Sequence, residues 1–244
     1  MRRPWISFRN DGLGSIMSTS VDRFGRVYAH PPGYIVEAGE SKFKHRFGGV
    51  SWHIVSNPHS NDVPALLFVL DLADPRLSSL RTNSIPELPV CSYINCDLWR
   101  HEQIYEIHNA TKEVFQLSGV TGDAYIMKDE DRLPNPLPEK KVYLREMKAS
   151  EYPLDEGAYW KNTDDFLGGN TFFRLGGRPL WLQEARTVTC TCASDMKYVM
   201  SIGYEGWDGP YRYINQEPFF IGEAALYVFF CVSCLQIRVI SQSS

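Results

Sequence analysis

Apolar residues along this chain fall mainly into short runs and alternating patterns, which are typical of β-strands. Residues 63–72 form an apolar run that turn residues bound on both sides, which predicts a buried strand. Residues 103–108 and 112–117 alternate between apolar and polar positions, and the turn between them predicts a hairpin. Further strand patterns lie at residues 50–55, 88–96, 141–147, 196–202, 225–231 and 235–240.

Helical patterns are weak by comparison. Asp74 and Pro75 suit the N-cap and the first position of one or two helical turns. Residues 98–103 suit another turn, and residues 150–170 predict a loop. The sequence therefore predicts a mainly β protein, a β-rich α+β fold with few short helices.

The same order of parts comes twice along the chain. The repeated motif is Gly48, Gly49 and Trp52 in the first half, and Gly176, Gly177, Pro179, Trp181 and Gln183 in the second half. The offset is 128 residues from Gly49, 129 from Trp52 and 138 from Leu88 to its match at Leu226. Because short loop insertions produce such growing offsets, we predict two pseudo-repeated antiparallel sheet units packed as one body. Each glycine pair predicts a tight turn or bulge that requires positive φ.

The repeat divides the chain into four parts. Residues 1–45 form a lead-in with short strands, and residues 46–127 form the first β repeat. Residues 128–170 form an acidic Pro-rich linker, and residues 171–244 form the second β repeat. Three prolines between residues 134 and 138 remove backbone donors, which excludes that stretch from a sheet interior.

Charge is distributed unevenly along the chain. The formal net charge is −4, which argues against a dedicated nucleic-acid binder with its usual basic face. Residues 129–165 carry ten Asp or Glu and six Lys or Arg, whereas residues 1–50 carry eight Lys or Arg and four Asp or Glu. The acidic segment is interpreted either as solvated loops or as a surface that meets a basic protein partner.

The expected location is the cytoplasm. No segment has the roughly 18–20 apolar residues that cross a bilayer, and the first residues lack the apolar run of a secretory signal. In that compartment the six cysteines are expected to be core thiols or metal ligands rather than disulfides.

Four of the cysteines form two closely spaced pairs, and these are the candidate metal ligands. They are Cys190, Cys192, Cys231 and Cys234. Four thiolates can close a tetrahedral zinc site, although a spacing of one residue is less usual than a spacing of two. The alternative is that they are buried thiols, since free cysteine is among the most buried residue types. We expect no cofactor, with zinc as the alternative, and we assign Cys91 and Cys96 to the core.

No catalytic residues are predicted. The six histidines lack metal-helix spacing, and the glycine pairs lack the third glycine and the following helix of a phosphate loop. Aromatic and acidic residues around two loops are instead candidate partner contacts, because such groups form binding hot spots, although they also cap sheets. The candidates are Tyr152, Asp155, Glu156, Tyr159, Trp160, Trp207, Asp208 and Tyr211.

The second half resembles the YwqG-like family, which is distantly related to the programmed cell death protein 2 group (the TYPP domain). The resemblance rests on residues 175–183, on Cys190 and Cys192 ahead of Met196, and on an aromatic strand that ends at Cys231. It covers residues 172–242 best and residues 47–117 more loosely. The first copy departs from the pattern, since it has Val50-Ser51 in place of the proline and lacks a cysteine pair.

The resemblance implies a duplicated β fold, and it provides no catalytic residues to carry over to this chain; we expect a non-enzymatic protein. Eukaryotic relatives of this group are associated with escorting a ribosomal protein, and some bacterial relatives look like immunity proteins of toxin systems. The first expectation is therefore an immunity protein that binds and neutralises a cognate bacterial toxin. The alternatives are a dedicated chaperone of a basic ribosomal protein, and a zinc-binding protein or hydrolase.

Overall fold

The computed structural model describes residues 33–56, 62–96, 102–119, 127–153, 155–209, 212–215 and 217–243. The strands are β1 (Gly33–Ala38), β2 (Arg46–Phe47), β3 (His53–Val55), β4 (Ala65–Asp71), β5 (Glu87–Ser92), β6 (Gln103–His108), β7 (Glu113–Ser118), β8 (Lys140–Glu146), β9 (Phe173–Gly176), β10 (Lys197–Ile202), β11 (Ala224–Cys231) and β12 (Gln236–Ser243). One α-helix, α1 (Glu156–Phe166), and the 3-10 helices Pro75–Leu80, Asp129–Asp131 and Ala149–Glu151 complete the elements of these ranges. The prediction of a mainly β protein with few short helices is confirmed.

All twelve strands belong to one mixed sheet. Their order is β3-β7-β6-β12-β11-β10-β9-β1-β8-β2-β4-β5. β3 and β7 run parallel, and the other neighbouring pairs run antiparallel. The sequence predicts two pseudo-repeated antiparallel sheet units packed as one body, whereas the described strands form a single continuous mixed sheet.

The lead-in and the linker of the sequence interpretation supply the two strands at the junction of this sheet. β1 pairs with β8 on one side and with β9 on the other. β8 in turn pairs with β2. Both strands therefore join the early and late parts of the chain through backbone hydrogen bonds.

The loop predicted for residues 150–170 is wrong over α1. Asp155 caps the helix, because its side chain accepts a hydrogen bond from the backbone N–H of Ala158 at 2.8 Å. The buried side chains of α1 are Tyr159, Asn162, Thr163 and Phe166. Two of these four are polar, which hides the apolar periodicity that identifies a helix in sequence.

The predicted turn at Asp74 is confirmed. The Asp74 side chain accepts a hydrogen bond from the backbone N–H of Arg76, and Pro75 begins the 3-10 helix. The turn proposed at residues 98–103 falls largely outside the described residues, and residue 103 begins β6.

Two apolar cores contact opposite sides of β11. Leu226, Val228 and Phe230 belong to the larger core, whereas Ala225, Tyr227 and Phe229 belong to the smaller core beside α1. β11 therefore reads in the sequence as a continuous apolar run, because both of its faces are buried. In the described part of the chain no helix has both the length and the apolar character needed to cross a bilayer.

Candidate functional site

The four paired cysteines converge on one point of the structure. Cys190 and Cys192 lie in the loop before β10, Cys231 ends β11, and Cys234 lies in the turn between β11 and β12. Their Sγ atoms all lie within 4.8 Å of one another. The Sγ atoms of Cys190 and Cys234 are 3.1 Å apart, and those of Cys192 and Cys231 are 3.6 Å apart.

Strand pairing brings the two cysteine pairs together. β11 pairs with β10 on one side and with β12 on the other, so the end of β11 meets the start of β10. The loop before β10 folds back on itself, since the backbone N–H of Met196 donates to the carbonyl of Val188 at 3.2 Å. Each cysteine pair therefore sits on a reversal of the chain, and the two reversals are adjacent.

The residue after each cysteine pair adopts a left-handed backbone conformation. Ala193 has φ 64° and Leu235 has φ 57°. These residues donate backbone hydrogen bonds to Cys190 at 2.9 Å and to Cys231 at 3.0 Å, respectively. A residue other than glycine adopts positive φ only at a cost, so the surrounding structure must hold both turns in this form. A left-handed residue thus follows directly after each of the two cysteine pairs.

The spacing of the sulfurs suits a four-coordinate metal ion. With Zn–S bonds of about 2.3 Å, the sulfurs of a tetrahedral site lie roughly 3.8 Å apart. The observed separations, from 3.1 Å up to 4.8 Å, lie on both sides of that value. A set of four thiolates fills all four positions of a tetrahedral ion, which is the arrangement of structural sites rather than catalytic ones.

The four thiols differ in their surroundings. Cys192 is exposed, and hydrogen bonds from the side chain and the backbone of Ser194 lower its pKa to about 6. Burial and the neighbouring thiols raise the pKa of Cys234. The lowered pKa of Cys192 favours the thiolate form, which is the form that binds a metal, and its sulfur is accessible from solvent. Cys91 and Cys96 are buried in the core as predicted, and burial raises the pKa of Cys91.

Two of the predicted partner contacts belong to the core instead. Tyr152 is buried, and its hydroxyl accepts a hydrogen bond from the backbone N–H of Gly33 at 3.3 Å. Tyr159 is also buried, and its hydroxyl donates to the carbonyl of Trp181. A side chain that is closed off in this way cannot contact a partner, so the assignment of these two tyrosines to a binding surface is wrong.

The remaining predicted contacts lie at the surface where the structure describes them. Trp160 is 47% exposed and Trp207 is 69% exposed. Glu156 and Asp208 are exposed, as is Asp155, whose side chain caps α1. Tyr211 lies outside the described residues.

Asp164 extends this surface and was missed by sequence reasoning. It is exposed on α1, four residues after Trp160, which itself lies four residues after Glu156. Residues four apart lie on the same face of a helix, so the spacing was the available signal once a helix was assigned. We call Glu156, Trp160, Asp164, Trp207 and Asp208 the acidic–aromatic surface.

The glycine pairs of the repeated motif occupy the conformation predicted for them. Gly48, Gly49, Gly176 and Gly177 have φ values of 65°, 86°, 69° and 69°. The tryptophan of each half, Trp52 in the first and Trp181 in the second, is buried. Trp52 donates from Nε1 to Glu87 at 3.0 Å, and Trp181 packs on Tyr227 with ring centroids 4.4 Å apart.

The other two residues of the motif, Pro179 and Gln183, lie outside the two apolar cores. Gln183 donates a hydrogen bond from Nε2 to the carbonyl of Ser243 at 3.0 Å, and Pro179 is partly exposed. The motif thus shapes turns and packing, and it brings no reactive group into the cysteine cluster.

Comparisons with known proteins give one short similarity. No family model matches the chain, and no solved structure matches it. Over 65 residues the chain is 38% identical to the "Uncharacterized protein YpfL" of Salmonella typhimurium strain LT2. The similarity covers 26% of this chain and 13% of the length of that protein.

Proposed function

We propose that this protein binds one zinc ion through its four clustered cysteines and uses the domain stabilised in this way to bind a basic protein partner. The convergence of the four Sγ atoms within 4.8 Å carries the first part of this proposal. The acidic–aromatic surface supports the second part. Neither part requires catalysis by the protein.

The zinc ion would act as a structural clamp. It would join the loop before β10 to the turn after β11, two segments that are about forty residues apart in sequence. A site of this kind is not preformed in the unfolded chain, so the free energy of metal binding adds to the free energy of folding. The full set of four thiolates leaves no open position for water, which favours this role over a zinc-dependent hydrolase.

Metal analysis of the purified chain tests the clamp. We expect about one zinc per chain after refolding with zinc and removal of unbound metal, and loss of that zinc in the variant Cys192→Ser/Cys231→Ser. Cys96→Ala is the matched control, because Cys96 is buried away from the cluster and should retain the metal. Wild-type protein without stoichiometric zinc, or equal loss in the control, would refute the clamp.

The acidic–aromatic surface combines the features of a site for a basic protein. Glu156, Trp160 and Asp164 form a stripe along α1. The loop that carries Trp207 is attached to the end of this helix, since the backbone N–H of Gly168 donates to the carbonyl of Tyr204 at 2.9 Å. Exposed tryptophans serve as anchors in interfaces, and carboxylates around them attract a positively charged partner and speed its capture.

Two kinds of basic partner fit this surface. The resemblance to immunity proteins favours a cognate bacterial toxin, and the more distant eukaryotic resemblance favours a basic ribosomal protein. Affinity purification from the native host at low and high salt, followed by mass spectrometry, distinguishes the two. The salt series matters because electrostatic capture weakens as ions screen the charges.

Variants of the surface make this purification decisive. We expect the double substitution Trp160→Ala/Trp207→Ala to abolish recovery of a stoichiometric basic protein. Leu117→Ala is the control, because Leu117 is 48% exposed but lies on β7. If no stoichiometric partner is recovered, or if the double variant retains it, the proposed binding surface is wrong.

We also infer that the two halves arose by duplication and exchanged one strand each. On one side of the β1–β8 pair the order is β8-β2-β4-β5, and on the other side it is β1-β9-β10-β11. The glycine pairs follow β2 and end β9, and the matching residues Leu88 and Leu226 lie on β5 and β11. Superposition of the two strand sets in an experimental structure should align Gly49 with Gly177. A best superposition that instead needs a different strand order would contradict the duplication.

A further inference from the structure

The four clustered sulfurs form two close pairs, and each pair joins two different segments of the chain. The Sγ atoms of Cys190 and Cys234 are 3.1 Å apart, and those of Cys192 and Cys231 are 3.6 Å apart. One member of each pair belongs to the loop before β10, and the other lies at the end of β11 or in the turn after it. A disulfide bond is about 2.05 Å long, so the sulfurs of each pair have to approach by only about 1–1.5 Å to form one.

The two pairs differ in exposure and in their other contacts. Cys192 is exposed, whereas Cys190 and Cys231 are buried and Cys234 is half-buried. The Cys190 thiol also donates a hydrogen bond to Gln236 Oε1 at 3.3 Å, which holds this sulfur at the start of β12. Cys192 is thus the sulfur that a reagent from solvent meets first, and Cys231 is the sulfur at 3.6 Å from it. An accessible thiol with a second thiol beside it is the arrangement of oxidation-sensitive sites.

Coordination of zinc and formation of a disulfide exclude each other at these sulfurs. Zinc binds the thiolate form of cysteine, and a disulfide sulfur carries no such charge. A chain with a disulfide between Cys192 and Cys231 keeps only the other two thiols of the cluster, which do not complete a structural site. The loss of zinc in this state rests on the zinc site proposed above, whereas formation of the disulfide needs only the positions of the sulfurs.

We propose that Cys192 is a site of oxidation by hydroperoxides and that Cys231 converts the oxidised sulfur into a disulfide, which replaces the zinc clamp in the metal-free chain. The disulfide fastens the loop before β10 to the end of β11, as the zinc ion does. Oxidation therefore releases the ion without freeing the two segments, and the fold around the cluster is retained.

The reaction begins when Cys192 is free of the metal, and it balances in two steps. The Cys192 thiolate attacks one oxygen of the peroxide, so an S–O bond forms and the O–O bond breaks. The other oxygen leaves with the electron pair and takes up a proton as water or as an alcohol. The Cys231 thiolate then attacks the Cys192 sulfur, the S–S bond forms, and hydroxide leaves and is protonated to water. The two thiols together lose two electrons and two protons, and the peroxide gains them.

Disulfide mapping of the metal-free chain tests the proposal without zinc. The chain is treated with one equivalent of hydrogen peroxide, the remaining thiols are blocked at low pH with N-ethylmaleimide, and the disulfides are located by mass spectrometry. We expect loss of two of the six thiols and a link between Cys192 and Cys231. Dithiothreitol, which is itself oxidised to its cyclic disulfide, should restore both thiols. Unchanged thiols, or a link between any other two cysteines, would overturn the proposal.

Variants of the cluster show the role of each sulfur. Cys190→Ser/Cys234→Ser keeps only the pair of Cys192 and Cys231 and should still form the link. The triple variant that adds Cys231→Ser should stop at the sulfenic acid, so dimedone should label Cys192 in the triple variant and not in the double variant. Iodoacetamide should leave the buried Cys91 unmodified in both, which checks that each variant is folded. Equal labelling of Cys192 in the two folded variants would overturn the role of Cys231.

Zinc release and unfolding show whether the disulfide replaces the clamp. The zinc-loaded chain should release about one ion per chain as the link forms, measured with a chromogenic chelator. The oxidised metal-free chain should unfold at a higher urea concentration than the reduced metal-free chain, because the linked residues are 39 positions apart and close a loop in the unfolded state. An equal or lower midpoint would overturn the replacement of the clamp. A mapped link in a chain that never binds zinc would refute the zinc site and retain the oxidation site, whereas stoichiometric zinc without a link would refute the oxidation site alone.

Discussion

His45 donates a hydrogen bond from Nε2 to Asp74 Oδ2 at 2.9 Å, and both side chains are buried. The tautomer follows from the other ring nitrogen, because Nδ1 accepts from the backbone N–H of Asp71 at 3.0 Å. Asp74 in turn accepts a hydrogen bond from Nε of Arg76 at 2.9 Å. This network fastens the segment before β2 to the 3-10 helix after β4.

Acidification should weaken the fold through this network. Burial lowers the pKa of His45, whereas an unfolded histidine titrates at about 6.5. As the pH drops below about 6.5, His45 binds a proton in the unfolded chain but stays neutral in the folded chain. The free energy of unfolding therefore falls with the pH in this range. The slope from this one group is at most about 1.4 kcal/mol per pH unit.

A second loss is expected at lower pH from Asp74. Burial alone would raise the pKa of Asp74, but hydrogen bonds from Arg76 and His45 lower it below its ordinary value. Its stabilising contribution is present above about pH 3.9 and is lost as the pH falls further. Urea unfolding across this range should show a fall in the free energy of unfolding at each of the two steps. His45→Gln should remove the first fall and reduce the second, which persists because Arg76 still pairs with Asp74. His108→Gln is the control because His108 is exposed; an unchanged slope in His45→Gln would contradict the assignment.

Gly48 and Gly176, the first glycines of the two repeated pairs, should differ in how far substitution by alanine destabilises the fold. Gly48 has φ 65°, and a Cβ atom there would lie 2.5 Å from the carbonyl oxygen of Pro138. Gly176 has φ 69°, but the nearest heavy atom to its Cβ would be 3.9 Å away, on Tyr34. We expect Gly48→Ala to lower the free energy of unfolding by about 2–5 kcal/mol and Gly176→Ala by about 1–2 kcal/mol. Both substitutions place alanine at a positive φ, but only the first also brings Cβ into a clash with the backbone. Chemical denaturation measures both, and equal costs would show that the clash is relieved.

The strands were predictable where one local pattern determines them. In β6 buried and more exposed positions alternate, and β11 is a continuous apolar run because both of its faces are buried. α1 was missed because its buried Asn162 and Thr163 are polar. Both donate to carbonyls one turn earlier, Asn162 to Ala158 at 2.8 Å and Thr163 to Tyr159 at 3.0 Å, and this satisfies their side chains without apolar periodicity.

The candidate site was predictable only in part. The spacing of Cys190 and Cys192, and of Cys231 and Cys234, identified two pairs of ligands. Their meeting depends on the pairing of β10, β11 and β12, which is a long-range property that no short motif encodes.

The tryptophans Trp181 and Trp207 should respond differently to truncation. Trp181 is 8% exposed and packs in the core beside α1, whereas Trp207 is 69% exposed. We expect Trp181→Ala to lower the free energy of unfolding by about 3–5 kcal/mol, because it empties a large buried volume. Trp207→Ala should change it by no more than about 0.5 kcal/mol, as for surface substitutions in general. Urea denaturation checks both, and a large cost at Trp207 would indicate that its contact with Phe220 is structural.

Zinc should stabilise the fold and shield an otherwise accessible thiol. Removal of the metal with a strong chelator should lower the unfolding midpoint, since the clamp between β10 and β11 is lost. Readdition of zinc should restore the midpoint, whereas magnesium should not, because magnesium prefers oxygen ligands. The Cys234→Ser variant should start at the lower midpoint and respond to neither treatment.

Alkylation followed by mass spectrometry provides a residue-level measure of the same event. Cys192 is the exposed member of the cluster, so iodoacetamide should modify it first in the metal-free chain. Coordination occupies the sulfur lone pair that attacks the reagent, and zinc should therefore slow this modification clearly. Cys91 is buried and should stay unmodified in both states, which confirms that the chain remains folded. Equal modification of Cys192 with and without zinc would show that Cys192 is not a ligand and would leave at most three cysteines to hold the ion.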